Sequence, residues 1–300
     1  MVVATGSLTE STGRVMGTDL HVVLLDAAPG AHDRIAARLA QLEARWSRFR
    51  ADSEITRLNR AGGAPVPVSP DTRRLLEHLV AGWRLAAGRF DPTVLPALVA
   101  AGYDRSFEQL TTGASAVAPV PGRGLDGLEL DDHHARLPAG IAVDPGGLGK
   151  GLAADLVTAE ALAAGWATGI LVNLGGDLRA AGDTPSPGWG VELDDPAGVT
   201  VGLVDGAVAT STTSRRRWTT TDGRDHHHVI DPRTGAPAAT DARSVTVVTG
   251  EAWLAEALAT ALLLDGIHNA ELVAAAGGTG LIVDHHGTVV DLPGMEDYRW

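Results

Sequence analysis

The stretch His228-Val229-Ile230-Asp231-Pro232-Arg233-Thr234-Gly235 carries the most information in this chain. A partly apolar strand end runs into a Pro/Gly turn that bears a histidine, an aspartate and an arginine. Strand-to-turn junctions hold polar side chains on a rigid base, a good place for chemistry. The turn rules allow a plainer reading, in which Asp231-Pro232 opens a turn and Gly235 supplies its position of positive φ. Four other segments bear on the choice: Val15-Met16-Gly17-Thr18, Gly88-Arg89-Phe90-Asp91-Pro92-Thr93, the run from Val143 to Gly151, and Ala255-Glu256-Ala257-Leu258-Ala259-Thr260.

The chain has 300 residues, 44% hydrophobic and 20% charged, which predicts a packed globular core in one large domain or two intimate lobes. It contains no cysteine, so disulfides, thiolate metal sites and cysteine nucleophiles are excluded. The net charge of −13 argues against nucleic acid or an anionic membrane as a partner. The one dense basic run, Arg215-Arg216-Arg217, is too short for a nucleic-acid surface and reads as a solvated loop, with a place near an anionic phosphate ligand as the alternative. No apolar run is expected to span a bilayer, and residues 1–15 lack a signal pattern.

Met16–Leu25 reads as a strand. Ile35, Leu39, Leu42 and Trp46 recur at helical spacing and predict an amphipathic helix over Asp33–Trp46. A second helix is predicted over 71–87, with Ser69 as N-cap, Pro70 in the first helical position and Gly88 at its close. Residues 104–140 read as loops and short strands, an insertion between lobes. A helix over Gly151–Ala164 follows the glycine-rich turn. Strands are expected at Gly169–Asn173, Trp189–Leu193, Val199–Val204 and Ser244–Val248, a strongly apolar helix at Ala252–Leu264, and a closing hairpin from Leu281–Val283 and Thr288–Asp291. Helices and short strands mix without strict alternation, so the fold class is α+β. No linker long enough to separate domains is present, and the chain reads as one domain over 1–300.

Asp144–Gly151 invites two readings, a tight strand-to-helix turn or a loop whose backbone N–H groups approach phosphate oxygens at a helix start. It is not a Walker A loop, because Lys150 is followed by Gly151, and it does not fit the dinucleotide fingerprint. Glu256 and Thr260 stand four apart, on one helix face, and can offer a carboxylate and a hydroxyl to a hard cation. Phe49 can stack on a flat ring or fill a core, and Met16 offers the same choice. Of His226, His227 and His228, consecutive on a strand, only His228 is favoured as functional, because neighbours on a strand face opposite sides. Asn173-Leu174-Gly175-Gly176-Asp177 reads as a strand-ending turn with no catalytic role.

In order and spacing, these segments resemble the ApbE family, the FAD:protein FMN transferases. The resemblance runs from about Met16 to about Gly266 and implies an ApbE-type, T-fold-like domain of mixed sheets and helices, with the flavin site between two lobes. The implied reaction is Mg²⁺-dependent transfer of FMN from FAD to a threonine or serine hydroxyl of an acceptor protein, with release of AMP. The implied FAD contacts are Met16, Phe49, Arg89, Phe90, Asp91, Asp144, Lys150 and Ile230. The implied metal ligands are the backbone oxygen of Gly147, Glu256 and Thr260. His228 is the candidate base, suited to work near neutral pH. Three departures stand out. The family usually has aspartate where this chain has Glu256, some members have a second aspartate where Ala259 stands, and the glycine expected after Thr210-Ser211 is Thr212. Many members are exported lipoproteins. Without a lipid-anchor cysteine, this chain is expected in the cytoplasm as it stands, an exported form with a removed leader being the alternative. Hydrolysis of FAD to FMN and AMP, or flavin binding without turnover, are the rival readings.

Overall fold

The computed structural model describes residues 6–110, 120–196, 198–220 and 223–300. Its strands are β1 (Leu8–Val15), β2 (Thr18–Leu25), β3 (Val66–Pro67), β4 (Glu129–Leu130), β5 (His134–Arg136), β6 (Gly169–Leu174), β7 (Asp177–Gly182), β8 (Trp189–Glu192), β9 (Thr200–Leu203), β10 (Gly206–Thr212), β11 (Arg217–Thr219), β12 (Asp225–His227), β13 (Ala242–Thr249), β14 (Thr279–Asp284) and β15 (Val289–Asp291). The helices are α1 (Ala31–Trp46), α2 (Glu54–Arg60), α3 (Pro70–Leu85), α4 (Leu95–Ala100), α5 (Gly149–Ala163), α6 (Ala252–Asp265) and α7 (Ala270–Ala275). The mixture is α+β, as the sequence predicts.

The centre is an eight-stranded sheet in the order β1-β2-β6-β7-β10-β13-β14-β15, antiparallel at every step. Alternation along each strand divides the side chains between two faces. Val22, Leu24, Ile170, Val172, Ala207, Val245 and Val247 meet the helices. Leu171, Ala180, Val208, Leu281 and Val283 meet the β8–β9 hairpin and Met295 on the other side. The closing hairpin of β14 and β15 forms one sheet edge, as expected.

Helix α3 follows its caps. Ser69 accepts a hydrogen bond from the Thr72 N–H and Pro70 occupies the first turn. The predicted strand over Met16–Leu25 starts only at Thr18. Met16 (φ 54) and Gly17 (φ 68) form the two-residue turn of a hairpin with β1, which the sequence did not suggest. Strand β1 is an edge strand exposed along most of its length, so its apolar signal is absent.

One apolar stretch is longer than the sequence reading allowed for. Ala252–Ala275 is 24 residues long with a mean hydropathy of 1.2 in its most apolar stretch, enough by length and composition to cross a membrane. The run breaks at Gly266 into α6 and α7. Helix α6 packs on β10 and β13 on one side and on α5 on the other, and burial all round accounts for its apolarity. Gly151 makes the α5–α6 approach possible, since a Cβ there would lie 2.4 Å from the Ala252 carbonyl oxygen. Of the expected 104–140 insertion, residues 111–119 lie outside the described residues. The rest holds β4 and β5, which pair with β3 in a small three-stranded sheet.

Candidate active site

The β1–β2 turn, the β6–β7 turn and the end of β10 lie at one end of the large sheet. A small cluster of Ala97, Leu98, Ala101, Tyr103 and Ile230 faces them. Between the two is a cavity of about 1150 Å³. Every residue singled out in the sequence lines it: Met16, Phe49, Arg89, Phe90, Asp91, Asp144, Gly147, Lys150, His228, Ile230, Glu256 and Thr260. They come from distant parts of the chain, so the fold brings them together.

What their side chains do differs from residue to residue. Phe49 is 42% exposed, so the core reading fails. Its ring lies 4.1 Å from the guanidinium carbon of Arg48 and 5.8 Å from the ring of Tyr103. Met16 is half-buried at the turn. Phe90 is buried, and its ring edge lies 3.1 Å from where a Gly147 Cβ would stand, so a side chain at 147 would press on it. Arg89 and Asp91 are largely satisfied within the protein. Arg89 makes a paired contact with Asp265 (2.6 and 2.9 Å) and a third bond to Asp231 (2.9 Å). Asp91 accepts from the Thr93 N–H (2.8 Å) and hydroxyl (2.7 Å) and from the Gly124 N–H (3.2 Å). Both residues shape the wall of the cavity by holding other segments.

Arg89 also fixes the turn that opened the sequence reading. Asp231 Oδ1 accepts from the Arg233 N–H, and the Asp231 carbonyl accepts from the Gly235 N–H, with Gly235 at φ 69. Both readings of the stretch hold: it is a Pro/Gly turn, and it carries His228 to the cavity. Strand β12 stops at His227, so His228 lies just beyond the strand rather than on it, and both His228 and Ile230 reach the cavity. His227 bonds the Ala238 carbonyl and His226 packs edge-on against Trp218, leaving His228 alone of the three on the cavity. The His228 Nδ1 atom is buried without a hydrogen-bond partner among the described residues. Burial, with the Arg216 charge adding to it, pushes its pKa down to about 3, so the ring is neutral at ordinary pH.

The glycine-rich segment is a turn of 3₁₀ helix, Pro145–Gly147, leading into α5. Asp144 caps it by accepting from the Gly146 N–H (2.8 Å) and pairs with Arg48 Nε (2.9 Å). Lys150 Nζ contacts Glu256 Oε1 (2.5 Å), Asp177 Oδ2 (3.0 Å) and the Gly146 carbonyl (3.1 Å). Glu256 Oε2 accepts from the Gly151 N–H at 2.8 Å. Burial alone would lower the Lys150 pKa, but Asp177 and Glu256 raise it above its ordinary value. Burial and then Asp177 push the Glu256 carboxyl up, with Lys150 opposing them.

Asp177 is the residue that sequence reasoning missed most clearly. The β6–β7 turn was given no role, yet it delivers a buried carboxylate to Lys150. Arg48 was missed as well, although it stands next to Phe49. Arg215-Arg216-Arg217 is only partly a solvated loop, because Arg216 lines the cavity together with the backbone bend that carries it. The Thr212 departure leaves no distortion: β10 continues through it, paired with Ser244.

The donors available to a cation are all oxygens. Among the described residues no three His, Cys, Asp or Glu side chains group as metal ligands. Backbone and hydroxyl oxygens must therefore contribute. The Thr260 Oγ1 atom lies 3.9 Å from the Cβ position of Gly147, and the Thr260 hydroxyl donates to the Glu256 carbonyl one helical turn back. Glu256 and Asp177 bring two carboxyl groups to the one ammonium of Lys150. A hard oxygen set of this kind fits a divalent cation such as Mg²⁺.

Comparison with known proteins agrees with this geometry. The model of the ApbE family matches residues 16–282. The FAD:protein FMN transferase of Treponema pallidum is 32% identical, with 84% of this chain and 77% of that protein covered. The FAD:protein FMN transferase of Haemophilus influenzae is 27% identical over 85% of this chain and 80% of its own. The crystal structure of the ApbE protein from Thermotoga maritima superposes with a TM-score of 0.84 at 26% identity, covering 98% of this chain and all of the other.

Proposed function

This chain belongs to the ApbE family, and on that premise we propose that it transfers FMN from FAD to a threonine or serine hydroxyl of an acceptor protein, releasing AMP. One observation carries the reading: residues from five separated motifs line a single cavity of about 1150 Å³. Such a volume lies just above the range of about 300–1,000 Å³ usual for small-molecule sites.

In this reading the acceptor oxygen bonds to the flavin-side phosphorus, the bond from that phosphorus to the AMP oxygen breaks, and the hydroxyl proton is taken up by a base. An alcohol is a poor nucleophile until that proton has somewhere to go. His228 is the base: it lines the cavity and has an unbonded ring nitrogen. Phe49 offers a ring face to the flavin or adenine, backed by Arg48 and Tyr103. Asp144, held by Arg48, presents a fixed carboxylate to ring N–H or ribose groups. Mg²⁺ would be held by the Gly147 carbonyl, Glu256 and Thr260, and would neutralise charge on the phosphates and on departing AMP. Lys150 orients Glu256 for that task.

The test is AMP release from FAD with and without a threonine-containing peptide. Transfer requires release that depends on the peptide. Release that proceeds equally without it would mean hydrolysis, and FAD bound without any release would mean a binding module.

A further inference from the structure

Six arginines line the cavity: Arg14, Arg48, Arg50, Arg89, Arg215 and Arg216. Five of them are paired with carboxylates, among them Arg215 with Asp194 at 2.5 Å. Arg216 has no carboxylate or other hydrogen-bond partner among the described residues.

Its backbone is also unusual. Arg216 has φ 47, a left-handed conformation rare for a residue with a long side chain. Strain of this kind persists only where the surroundings enforce it, and it concentrates at functional sites. At this bend the side chains of Arg215 (58% exposed) and Arg217 (49% exposed) remain in solvent, while Arg216 is half-buried and borders the cavity. The Arg216 charge acts on Tyr103, Lys150 and His228, which come from three separate segments and all line the same space.

The charge balance of the cavity sets its use. Lys150 is offset by two carboxylates, and Arg48 and Arg89 by their own partners. Among the described residues, Arg216 is the one arginine of the lining that no carboxylate holds. We propose that Arg216 is a further catalytic residue, whose guanidinium grips the phosphate being transferred in the cavity that Lys150 and His228 also line. This rests on the FMN-transfer reading above. The planar fork of a guanidinium matches two phosphate oxygens, and phosphoryl transfer depends on stabilising charge on those oxygens. Arg216 forms no covalent bond. It donates N–H groups to the non-bridging oxygens while the bond to AMP breaks, the bond to the acceptor oxygen forms, and the proton passes to His228.

Two variants test it. Asparagine is among the residues most tolerant of the left-handed region, so Arg216→Asn removes the charge without forcing the backbone. Arg216→Lys keeps the charge and loses the fork. Affinities for FAD and for riboflavin, which has no phosphate, are measured by flavin fluorescence, and transfer is measured at saturating FAD. In Arg216→Asn the FAD affinity should fall about tenfold or more and riboflavin affinity should stay unchanged. Transfer at saturation should fall by about 10²–10³-fold, the usual cost of removing a transition-state donor. Arg216→Lys should recover FAD binding better than transfer. Equal loss of FAD and riboflavin binding would make Arg216 structural, and unchanged FAD affinity and transfer would remove it from the site; either overturns the proposal. If the wild-type protein moves no FMN to a peptide, the functional reading falls. In that case, a loss in Arg216→Asn confined to phosphate-bearing flavins supports a phosphate grip at Arg216, and the absence of such a loss overturns it.

Discussion

Lys150 reaches across from α5 to Glu256 on α6, with Nζ 2.5 Å from Oε1, and the same ammonium holds Asp177 at 3.0 Å. The contact ties the glycine-rich turn to the helix that carries Thr260. It also explains how a glutamate is accommodated where an aspartate is usual in the family: the carboxylate is held at one oxygen by Lys150 and at the other by the Gly151 N–H.

Glu256→Gln should therefore keep the fold, because Lys150 retains Asp177, at a cost of about 1–3 kcal/mol for the lost charged contact. Its affinity for Mg²⁺ or Mn²⁺ should fall at least tenfold in a calorimetric titration. Glu256→Asp should retain metal-dependent activity, and chelation should abolish activity in both the wild type and this variant. Full metal affinity in Glu256→Gln would show that the ligand assignment is wrong.

Arg89 binds Asp231 and Asp265 with a side chain that is only 9% exposed. Replacing it with methionine leaves two carboxylates without their main partner, and should cost about 3–5 kcal/mol of stability, read by chemical denaturation. A loss of flavin affinity with unchanged stability would instead make Arg89 a direct flavin contact. The same cluster gives a pH dependence. Burial opposes ionisation of Asp231, but the hydrogen bonds from Arg89 and Arg233 outweigh it and hold the pKa down to about 2. With the folded pKa below the unfolded value of about 3.8, the contribution is fully present above about pH 4 and is lost as the pH falls through 2. Denaturation midpoints of wild type and Asp231→Asn should converge over that window.

His228→Ala should keep FAD binding and lose transfer by about 10²–10⁴-fold. Because the ring is neutral down to about pH 3, the activity of the free enzyme should show no histidine limb near pH 6–7, contrary to the expectation drawn from an ordinary histidine. Stability carries the signature instead. The unfolded chain binds the proton between about pH 6.5 and 3 and the folded chain does not, so stability is lost as the pH falls through that range. His228→Asn should lack this slope. A wild-type limb near 6.5 that disappears in His228→Asn would show that the ring titrates normally.

Gly151→Ala should be disruptive for a different reason. The added methyl would meet the Ala252 carbonyl oxygen at 2.4 Å, a backbone atom that cannot turn aside, and would part α5 from α6. A cost of about 1–3 kcal/mol is expected, with weakened metal binding because Lys150 and Glu256 separate. A fully stable, fully active Gly151→Ala would contradict the importance of this close approach.

The parts of the fold that were legible in sequence are those with local causes. Ser69 and Pro70 announce the start of α3, Ile35, Leu39 and Leu42 describe the face of α1, and Pro232 with Gly235 describe the turn. Strand β1 was not legible, because an edge strand wet on both sides has no apolar alternation. The apolarity of α6 was legible, but its cause was not, since burial on both sides depends on strands far away in sequence. The motifs found the cavity, and they did not show how each side chain is used there. Whether Asp91 meets a ligand or caps Thr93, whether Lys150 faces a phosphate or two carboxylates, and whether Arg216 turns inward all depend on long-range partners and on one left-handed residue.

The most direct measurement is the mass of an acceptor peptide with a single threonine, incubated with this protein, FAD and Mg²⁺. The account predicts a peptide carrying one FMN as a phosphoester, with AMP released in equal amount, and no modification when that threonine is replaced by alanine. An unmodified peptide, with FAD intact or converted only to free FMN and AMP, would contradict it.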